Sequence, residues 1–188
     1  MCININHRIH HKTVEVSHTG TLPANPITPG QKFHLVNLIP KQRAADLLFG
    51  ADFRHLLGGK TWAGVHIDSY RSLYDDGVYV IGDAHDSVQP KAGHIANSEA
   101  KVCADALLRD LRLRPARVMP DEAPVTNSAC FSPITASTAS FLTAGYRYNP
   151  AQDAMEKIAA ASGEAEQINS GNYKMMLAWA NNLFAEVF

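Results

Sequence analysis

The residues best suited to chemistry lie in one stretch, GVYVIGDAHDSVQPKAGHIANSEAK, which runs from Gly77 to Lys101. The apolar run Val78–Ile81 stands between glycines and predicts a short strand buried on both faces. Asp83 would follow at the carboxyl end of that strand, where α/β sheets bind ligands. A helix entered near Gly93 would aim free backbone N–H groups and a partial positive charge at the same place. A carboxylate for hydroxyl groups and a helix terminus for negative charge together suit a polar cofactor.

The neighbouring segments predict the elements that hold this stretch. Residues 33–39 predict a buried strand that Pro40 ends, residues 42–48 a helix, and residues 65–68 a short strand. The helix after Gly93 has an apolar stripe that ends near Pro115. The stripe consists of Ala96, Ala100, Cys103, Leu107 and Leu111, flanked by Ile95, Val102 and Ala106.

The last third of the chain has a different pattern. Residues 115–124 are rich in proline and predict a linker. Residues 125–148 are rich in Thr, Ser, Phe and Tyr and predict two or three antiparallel strands. Residues 151–162 predict a weak helix that Gly163 interrupts. A final helix from about Tyr173 to Phe188 should pack on the sheet through a face formed by Tyr173, Leu177, Ala180, Phe184 and Phe188.

The composition excludes several classes of protein. The 188 residues include 17 Lys and Arg against 18 Asp and Glu, so no strong field attracts nucleic acid or anionic lipid. No apolar run reaches the ~20 residues of a membrane helix. The three cysteines form no C-x-x-C pattern. The histidines between His7 and His18 lack matching acidic or cysteine ligands, so we expect no metal site.

Several motifs in a consistent order resemble one family. GVYVIGDA and PKAGHIANSEAK look like the second flavin-binding signature of flavoproteins with two dinucleotide-binding domains. With FHLVNLIPKQRA upstream and NSACFSPIT, AGYRYNP and LAWANNLF downstream, roughly residues 32–188 resemble the flavoprotein subunit of flavocytochrome c sulfide dehydrogenase. The resemblance implies an α+β or α/β fold. Residues 1–118 would be a remnant of FAD/NAD(P)-binding domains with a second FAD-contacting segment at 77–111, and residues 119–188 a C-terminal interface domain of antiparallel strands and helices.

The resemblance assigns FAD as the cofactor and gives five residues of the stretch a role in binding it. Gly82 would give clearance, and Asp83 would accept hydrogen bonds from the ribityl chain. Lys91 and the N–H groups of Gly93 and His94 would lie at the pyrimidine end of the ring and favour reduced, anionic flavin.

Two further residues gain roles from the same resemblance. Cys130, in N-x-x-C-F-S, would be the catalytic cysteine of a redox-active disulfide above the flavin, which sulfide attacks. Its partner cysteine in the family lies in the N-terminal half, and nothing here matches it. Trp179 in LAWANNLF would lie near the flavin and near a haem-bearing cytochrome c subunit that accepts electrons. The family works in the periplasm, although the N-terminus here has no apolar signal core.

The chain departs from the family by having no G-x-G-x-x-G, the motif that binds the pyrophosphate. We therefore expect a C-terminal portion that needs an N-terminal FAD-domain half and binds FAD poorly alone. A related quinone-linked or disulfide-linked flavoprotein stays open, as does a non-catalytic interaction domain that has lost its cofactor. Four of the site residues also have an ordinary structural explanation: a turn or helix-cap aspartate at Asp83, a solvated loop lysine at Lys91, a buried structural cysteine at Cys130 and a core ring at Trp179.

Overall fold

The computed structural model describes residues 42–187 of the chain. By its contacts the chain divides into Met1–Arg43 and Ala44–Phe188, and the second unit contains every element described below. The elements, in chain order, are α1 (Gly93–Asp110), β1 (Val125–Pro133), β2 (Ala139–Asn149), β3 (Ala154–Glu164) and α2 (Ser170–Val187). Two helices and an antiparallel sheet place the unit in the α+β class, as predicted for the C-terminal part. Neither helix is long and apolar enough to cross a membrane.

The sheet has three antiparallel strands in the order β1-β2-β3. Cys130 of β1 lies opposite Leu142 of β2, and Tyr148 of β2 lies opposite Met155 of β3. The prediction of antiparallel strands between residues 125 and 148 is therefore confirmed. β1 is an edge strand, and α1 packs along it.

The predicted weak helix over residues 151–162 is wrong, because this segment is β3. Pairing with β2 outweighs the local helix preference of its alanines. Between Gly145↔Ile158 and Thr143↔Gly163 the register shifts, so β3 carries extra residues that bulge out of the ladder. Ser162 supports this bulge: its hydroxyl donates to the Ile158 carbonyl at 2.8 Å.

Helix α1 forms where it was predicted, but the buried face differs. The buried residues are Ile95, Glu99, Val102 and Ala106. The C-terminal end of the predicted stripe is partly in solvent, since Leu107 is 41% and Leu111 60% exposed. The buried face includes Glu99, which occupies a core position. A carboxylate can be buried there only if a partner offsets its charge.

No parallel sheet occurs among residues 42–187, so the predicted strands at residues 65–68 and 78–81 are wrong. Val65 and Tyr79 make isolated antiparallel bridges, and Ala63 makes a parallel bridge to His85. Ile81 is 38% exposed, which contradicts burial on both faces. A buried parallel strand needs partners on both sides, and these segments have single bridges instead. The strand predicted for residues 33–39 lies outside the described residues.

Short 3₁₀ turns replace the helix predicted for residues 42–48. They span Asp46–Phe49 and Arg54–Leu57. Three of their leucines, Leu48, Leu56 and Leu57, enter a core that also includes Val102 of α1, whereas Leu47 is 67% exposed. The residues that form this core are Ala44, Leu48, Leu56, Leu57, Ala63, Val65, Tyr70, Val80 and Val102. A second cluster joins Ile95 of α1 to Tyr146 and Met155 of the sheet.

The segment between α1 and β1 has no helix or strand, as the prediction of a linker requires. Arg117 holds it against the body of the unit by donating to the backbone carbonyls of Asp68 at 2.5 Å and Val102 at 3.2 Å. Packing also crosses the predicted boundary at 118/119, because Ile95 of α1 lies in one cluster with Tyr146 and Met155 of the sheet. The assignment of two domains there stays a prediction.

Helix α2 confirms the predicted final helix, and it packs on β2. Its packed face differs in part from the predicted one. Leu177 is 47% and Phe184 59% exposed, whereas Asn172 is buried and donates to the Ala139 carbonyl at 3.2 Å. Trp179 and Leu183 lie half-buried on the inner side.

Candidate functional site

The Gly82–Ala84 turn carries the predicted carboxylate. Gly82 has φ = 69°, a left-handed conformation that favours glycine. A Cβ on Gly82 would lie 3.4 Å from the Cβ of Ala96, so the turn sits directly on the first turns of α1. Asp83 is exposed at the tip of this turn. The turn that carries Asp83 therefore packs against the first turns of α1, although no strand leads into it.

A buried acid–imidazole pair lies beneath the turn. His85 Nε2 and Glu99 Oε1 are 3.0 Å apart, and both side chains are at most 2% exposed. Glu99 Oε2 accepts a hydrogen bond from the Gly82 N–H at 2.6 Å. The ring of Tyr70 lies 5.2 Å from the His85 ring. Burial raises the pKa of Tyr70, and the negative charge of Glu99 adds to the increase.

Lys91 is held at the same place by two contacts. Its ammonium donates to the His85 carbonyl at 2.7 Å and lies 4.2 Å from the centre of the Trp62 ring. Burial lowers the pKa of Lys91, while the charges of Asp83, Glu99 and Asp86 act in the opposite direction. Lys91 is thus a fixed, half-buried amine beside Asp83 and not a freely solvated loop lysine.

Gly93 begins α1 and leaves the helix terminus accessible, because a Cβ there would meet nothing within 4 Å. The next residue, His94, is directed away from Lys91 towards the sheet. His94 Nδ1 accepts the Ala129 N–H at 2.9 Å. Burial lowers the pKa of His94, and Lys101 adds to this effect.

Trp179 joins His94 in a small aromatic cluster on one face of the sheet. The rings of His94 and Trp179 are 5.5 Å apart and meet edge to face. Phe131 lies 5.5 Å from Trp179 and 5.9 Å from Phe141. The cluster fixes α2 against both α1 and β1.

Cys130 lies between Ala129, which contacts His94, and Phe131, which contacts Trp179. Its own side chain points to the opposite face of the strand from Phe131. Side chains alternate across a strand, and Phe131 meets Trp179 on one face, so Cys130 points to the other. Cys130 is exposed and carries a free thiol. Cys103, the other cysteine among the described residues, is free and half-buried.

A groove of about 430 Å³ lies between α1, α2 and the start of β1. Its walls include Asn97, Lys101, Asn127, Trp179, Asn182 and Glu186. Lys101 and Glu186 form an ion pair at 2.7 Å that joins the two helices. Three cationic side chains (Lys101, Arg109, Arg117) and three acidic ones (Asp105, Glu122, Glu186) line the groove, so it has no net charge to select an anion.

The structure therefore arranges most of the predicted site residues in two groups that meet at the first turn of α1. Gly82, Asp83 and Lys91 form one group, and His94 with Trp179 forms the other. Cys130 belongs to neither, because it points to the opposite face of the sheet from Trp179. Sequence reasoning missed Glu99 and His85. A signal for Glu99 exists, because it stands four residues after Ile95 and three before Val102, in the middle of a buried helix face.

Comparison of the sequence with models of known protein families finds no match. Among residues 42–187, no group of three His, Cys, Asp or Glu side chains is placed to hold a metal ion. The histidines between His7 and His18 lie outside that range.

Proposed function

We propose that this chain is part of an FAD-dependent oxidoreductase that oxidises sulfide or a related sulfur compound and passes electrons to a cytochrome c. The observation that carries the proposal is the placement of Asp83. Its carboxylate is exposed on a turn that packs against the open start of α1, beside the fixed amine of Lys91. This is the set of groups that the sequence resemblance assigns to flavin binding.

The residues fit the parts of a flavin that the resemblance assigns to them. Asp83 is free to accept hydrogen bonds from ribityl hydroxyls, because its turn leaves it in solvent. Gly93 leaves space for a ring to approach the N–H groups of the helix start. Lys91 supplies a positive charge on the same side, which favours negative charge on a reduced ring. Residues 77–111 then act as the second FAD-contacting segment, and residues 119–188 as the interface domain.

Cys130 is the proposed site of sulfur chemistry, in a disulfide with a cysteine of another segment. Hydrosulfide attack on one sulfur of that disulfide forms a persulfide on one cysteine and releases the other as a thiolate. Bound FAD supplies the two-electron acceptor for this chemistry, and a haem-bearing cytochrome c subunit takes the electrons onward. The exposed position of Cys130 supports this role, since an attacking anion can reach it.

The chain has no G-x-G-x-x-G, so a further segment or partner must hold the pyrophosphate. We propose that an N-terminal FAD-domain half does so, in the periplasm as in the family that the sequence resembles. The antiparallel sheet with one exposed edge strand and two helices is compatible with an interface domain that packs on such a half.

A second candidate is a non-catalytic interaction domain. Exposed apolar side chains favour it, because Leu142 lies opposite Cys130 at 55% exposure, and Met175 of α2 is 53% exposed. This reading predicts tight partner binding without flavin.

One reconstitution experiment separates the two candidates. The purified chain is mixed with FAD and the N-terminal half of a flavocytochrome c sulfide dehydrogenase flavoprotein subunit, which carries G-x-G-x-x-G. Flavin absorbance after gel filtration measures binding, and sulfide-dependent reduction of cytochrome c measures activity. We expect the chain alone to elute colourless and the mixture to retain flavin and reduce cytochrome c.

Matched variants test the role of each residue in the reconstituted assembly. Asp83→Asn should lower flavin retention, while Asp121→Asn, at an exposed turn, should match the unaltered chain. Cys130→Ser should keep flavin and lose sulfide-dependent reduction. If the two halves elute together without flavin, the interaction-domain candidate replaces the enzyme. Full sulfide activity in Cys130→Ser would remove Cys130 from the mechanism.

A further inference from the structure

Glu99 makes an unusual pair of contacts for a single carboxylate. Among residues 42–187 Glu99 is the one buried acidic residue, at 1% exposure. Its Oε2 accepts the Gly82 N–H at 2.6 Å, and its Oε1 lies 3.0 Å from His85 Nε2. Gly82 and His85 stand on either side of Asp83, so one side chain of α1 fastens both flanks of the turn that presents Asp83.

One hydrogen lies between His85 Nε2 and Glu99 Oε1, because the two atoms are 3.0 Å apart and two bare acceptors would not approach so closely. The other oxygen of Glu99, Oε2, is left to accept the Gly82 N–H at 2.6 Å. The carboxyl group therefore uses both of its oxygens to hold the turn.

The same pair also fixes Lys91. The carbonyl of His85 accepts the Lys91 ammonium at 2.7 Å, and the face of Trp62 covers that ammonium at 4.2 Å. The His85 ring is itself held by Glu99 and by contact with Tyr70. The carboxylate and the amine of the site are therefore anchored to one buried residue pair.

We propose that Glu99 is a positioning residue: with His85 it forms a buried clamp that holds the Gly82–His85 turn and Lys91 in the geometry that a flavin requires. The identity of the ligand rests on the proposed function. The clamp itself is a property of this chain and can be measured without any ligand.

Two substitutions of similar size distinguish the clamp from simple packing. In Glu99→Gln, the amide oxygen can accept the Gly82 N–H while the amide nitrogen donates to a neutral His85 ring, so every hydrogen bond is kept. Glu99→Leu fills the volume and keeps none. Amide hydrogen exchange by NMR should show Gly82 protected in the unaltered chain and in Glu99→Gln, and exchanging at least about tenfold faster in Glu99→Leu. Exchange at Tyr146 in the sheet reports whether the fold is intact.

A measurement on the unaltered chain covers the case in which Glu99→Leu does not fold. Nitrogen-15 NMR of the His85 ring should show that Nε2 is hydrogen-bonded, and a ring whose Nε2 makes no hydrogen bond would overturn the clamp. Equal exchange at Gly82 in the folded unaltered chain and in folded Glu99→Leu would overturn it as well.

The reconstituted assembly then tests positioning. Glu99→Gln should retain FAD as the unaltered chain does, and Glu99→Leu should bind it at least about tenfold more weakly. Normal FAD retention in a Glu99→Leu chain whose Gly82 exchanges rapidly would refute the positioning role. If the unaltered assembly itself retains no FAD, the proposed function fails, while Gly82 exchange still decides whether the clamp exists.

Discussion

His94 Nδ1 accepts a hydrogen bond from the backbone N–H of Ala129 at 2.9 Å. This contact joins the first turn of α1 to the outer edge of β1, whose other edge pairs with β2. An acceptor at this point satisfies an edge N–H that would otherwise be unpaired at a helix–strand contact. Because Nδ1 accepts, the neutral ring carries its hydrogen on Nε2.

The first prediction follows from this bond. Burial lowers the pKa of His94 in the folded chain, with Lys101 adding to the effect, so folding favours the neutral ring. Its contribution to stability is complete above the unfolded pKa of about 6.5 and is lost as pH falls through the lower folded pKa. We expect the free energy of unfolding, measured with urea, to fall between pH 7.5 and pH 5.5.

His94→Gln is the control, because a glutamine oxygen can still accept the Ala129 N–H and does not titrate. The decrease in unfolding free energy between the two pH values should be smaller in His94→Gln than in the unaltered chain. An equal decrease in both chains would show that other groups cause the pH dependence.

The second prediction concerns thiol reactivity. Cys130 is exposed, whereas Cys103 is half-buried and burial raises its pKa. In a Cys2→Ser background, iodoacetamide at pH 7.5 should modify Cys130 at least about tenfold faster than Cys103. Mass spectrometry of digested samples assigns the rates, and the two rates should become similar in denaturant. Faster modification of Cys103 in the native chain would contradict the burial of its side chain.

The third prediction tests the bulge in β3. A Cβ added to Gly145 would lie 2.8 Å from the Cβ of Ala161, which has no flexible end that could move away. Gly145→Ala should therefore destabilise the chain by about 1–3 kcal/mol in urea unfolding. Gly163→Ala is the matched control: a Cβ there meets nothing within 4 Å, and the expected change is within ~0.5 kcal/mol. Equal effects of the two substitutions would argue against the close approach.

The fourth prediction concerns a carboxylate that accepts hydrogen bonds from three arginines. Asp105 accepts hydrogen bonds from Arg109 at 2.8 Å, Arg114 at 2.7 Å and Arg117 at 3.0 Å. These bonds, that of Arg109 first, hold the pKa of Asp105 far below its usual range. Asp105→Asn should lower the free energy of unfolding at pH 7 by about 1–3 kcal/mol, because charge-assisted bonds to the linker are lost.

The free energy of unfolding measured at acidic pH gives an independent check of the contribution of Asp105. Its contribution to stability is present above the ordinary aspartate pKa of about 3.9 and declines as pH falls below it. The difference between the unaltered chain and Asp105→Asn should therefore shrink in acid. Asp121→Asn, in the same linker, should unfold like the unaltered chain at both pH values.

Local sequence patterns were sufficient to predict the elements whose side chains follow one regular pattern. The 3.6-residue spacing of apolar side chains predicted α1 and α2, and the Thr- and Tyr-rich runs predicted β1 and β2. Gly82 was predicted to give clearance for a ligand, whereas the structure shows a different reason for a glycine there, its φ of 69°. The position of Asp83 near the start of α1 follows from the short loop between them.

Tertiary structure alone decided the rest. β3 forms because it pairs with β2, and the alanines at residues 159–161 give no local indication of a strand. The buried face of α1 depends on His85, fourteen positions before Glu99, since a carboxylate enters a core only when a partner removes its unpaired charge. The sequence by itself indicated the two long helices α1 and α2 and suggested which residues could hold a ligand. Only the folded chain decided which of those residues are fixed together, because charge pairing and strand pairing are made between segments that no local pattern links.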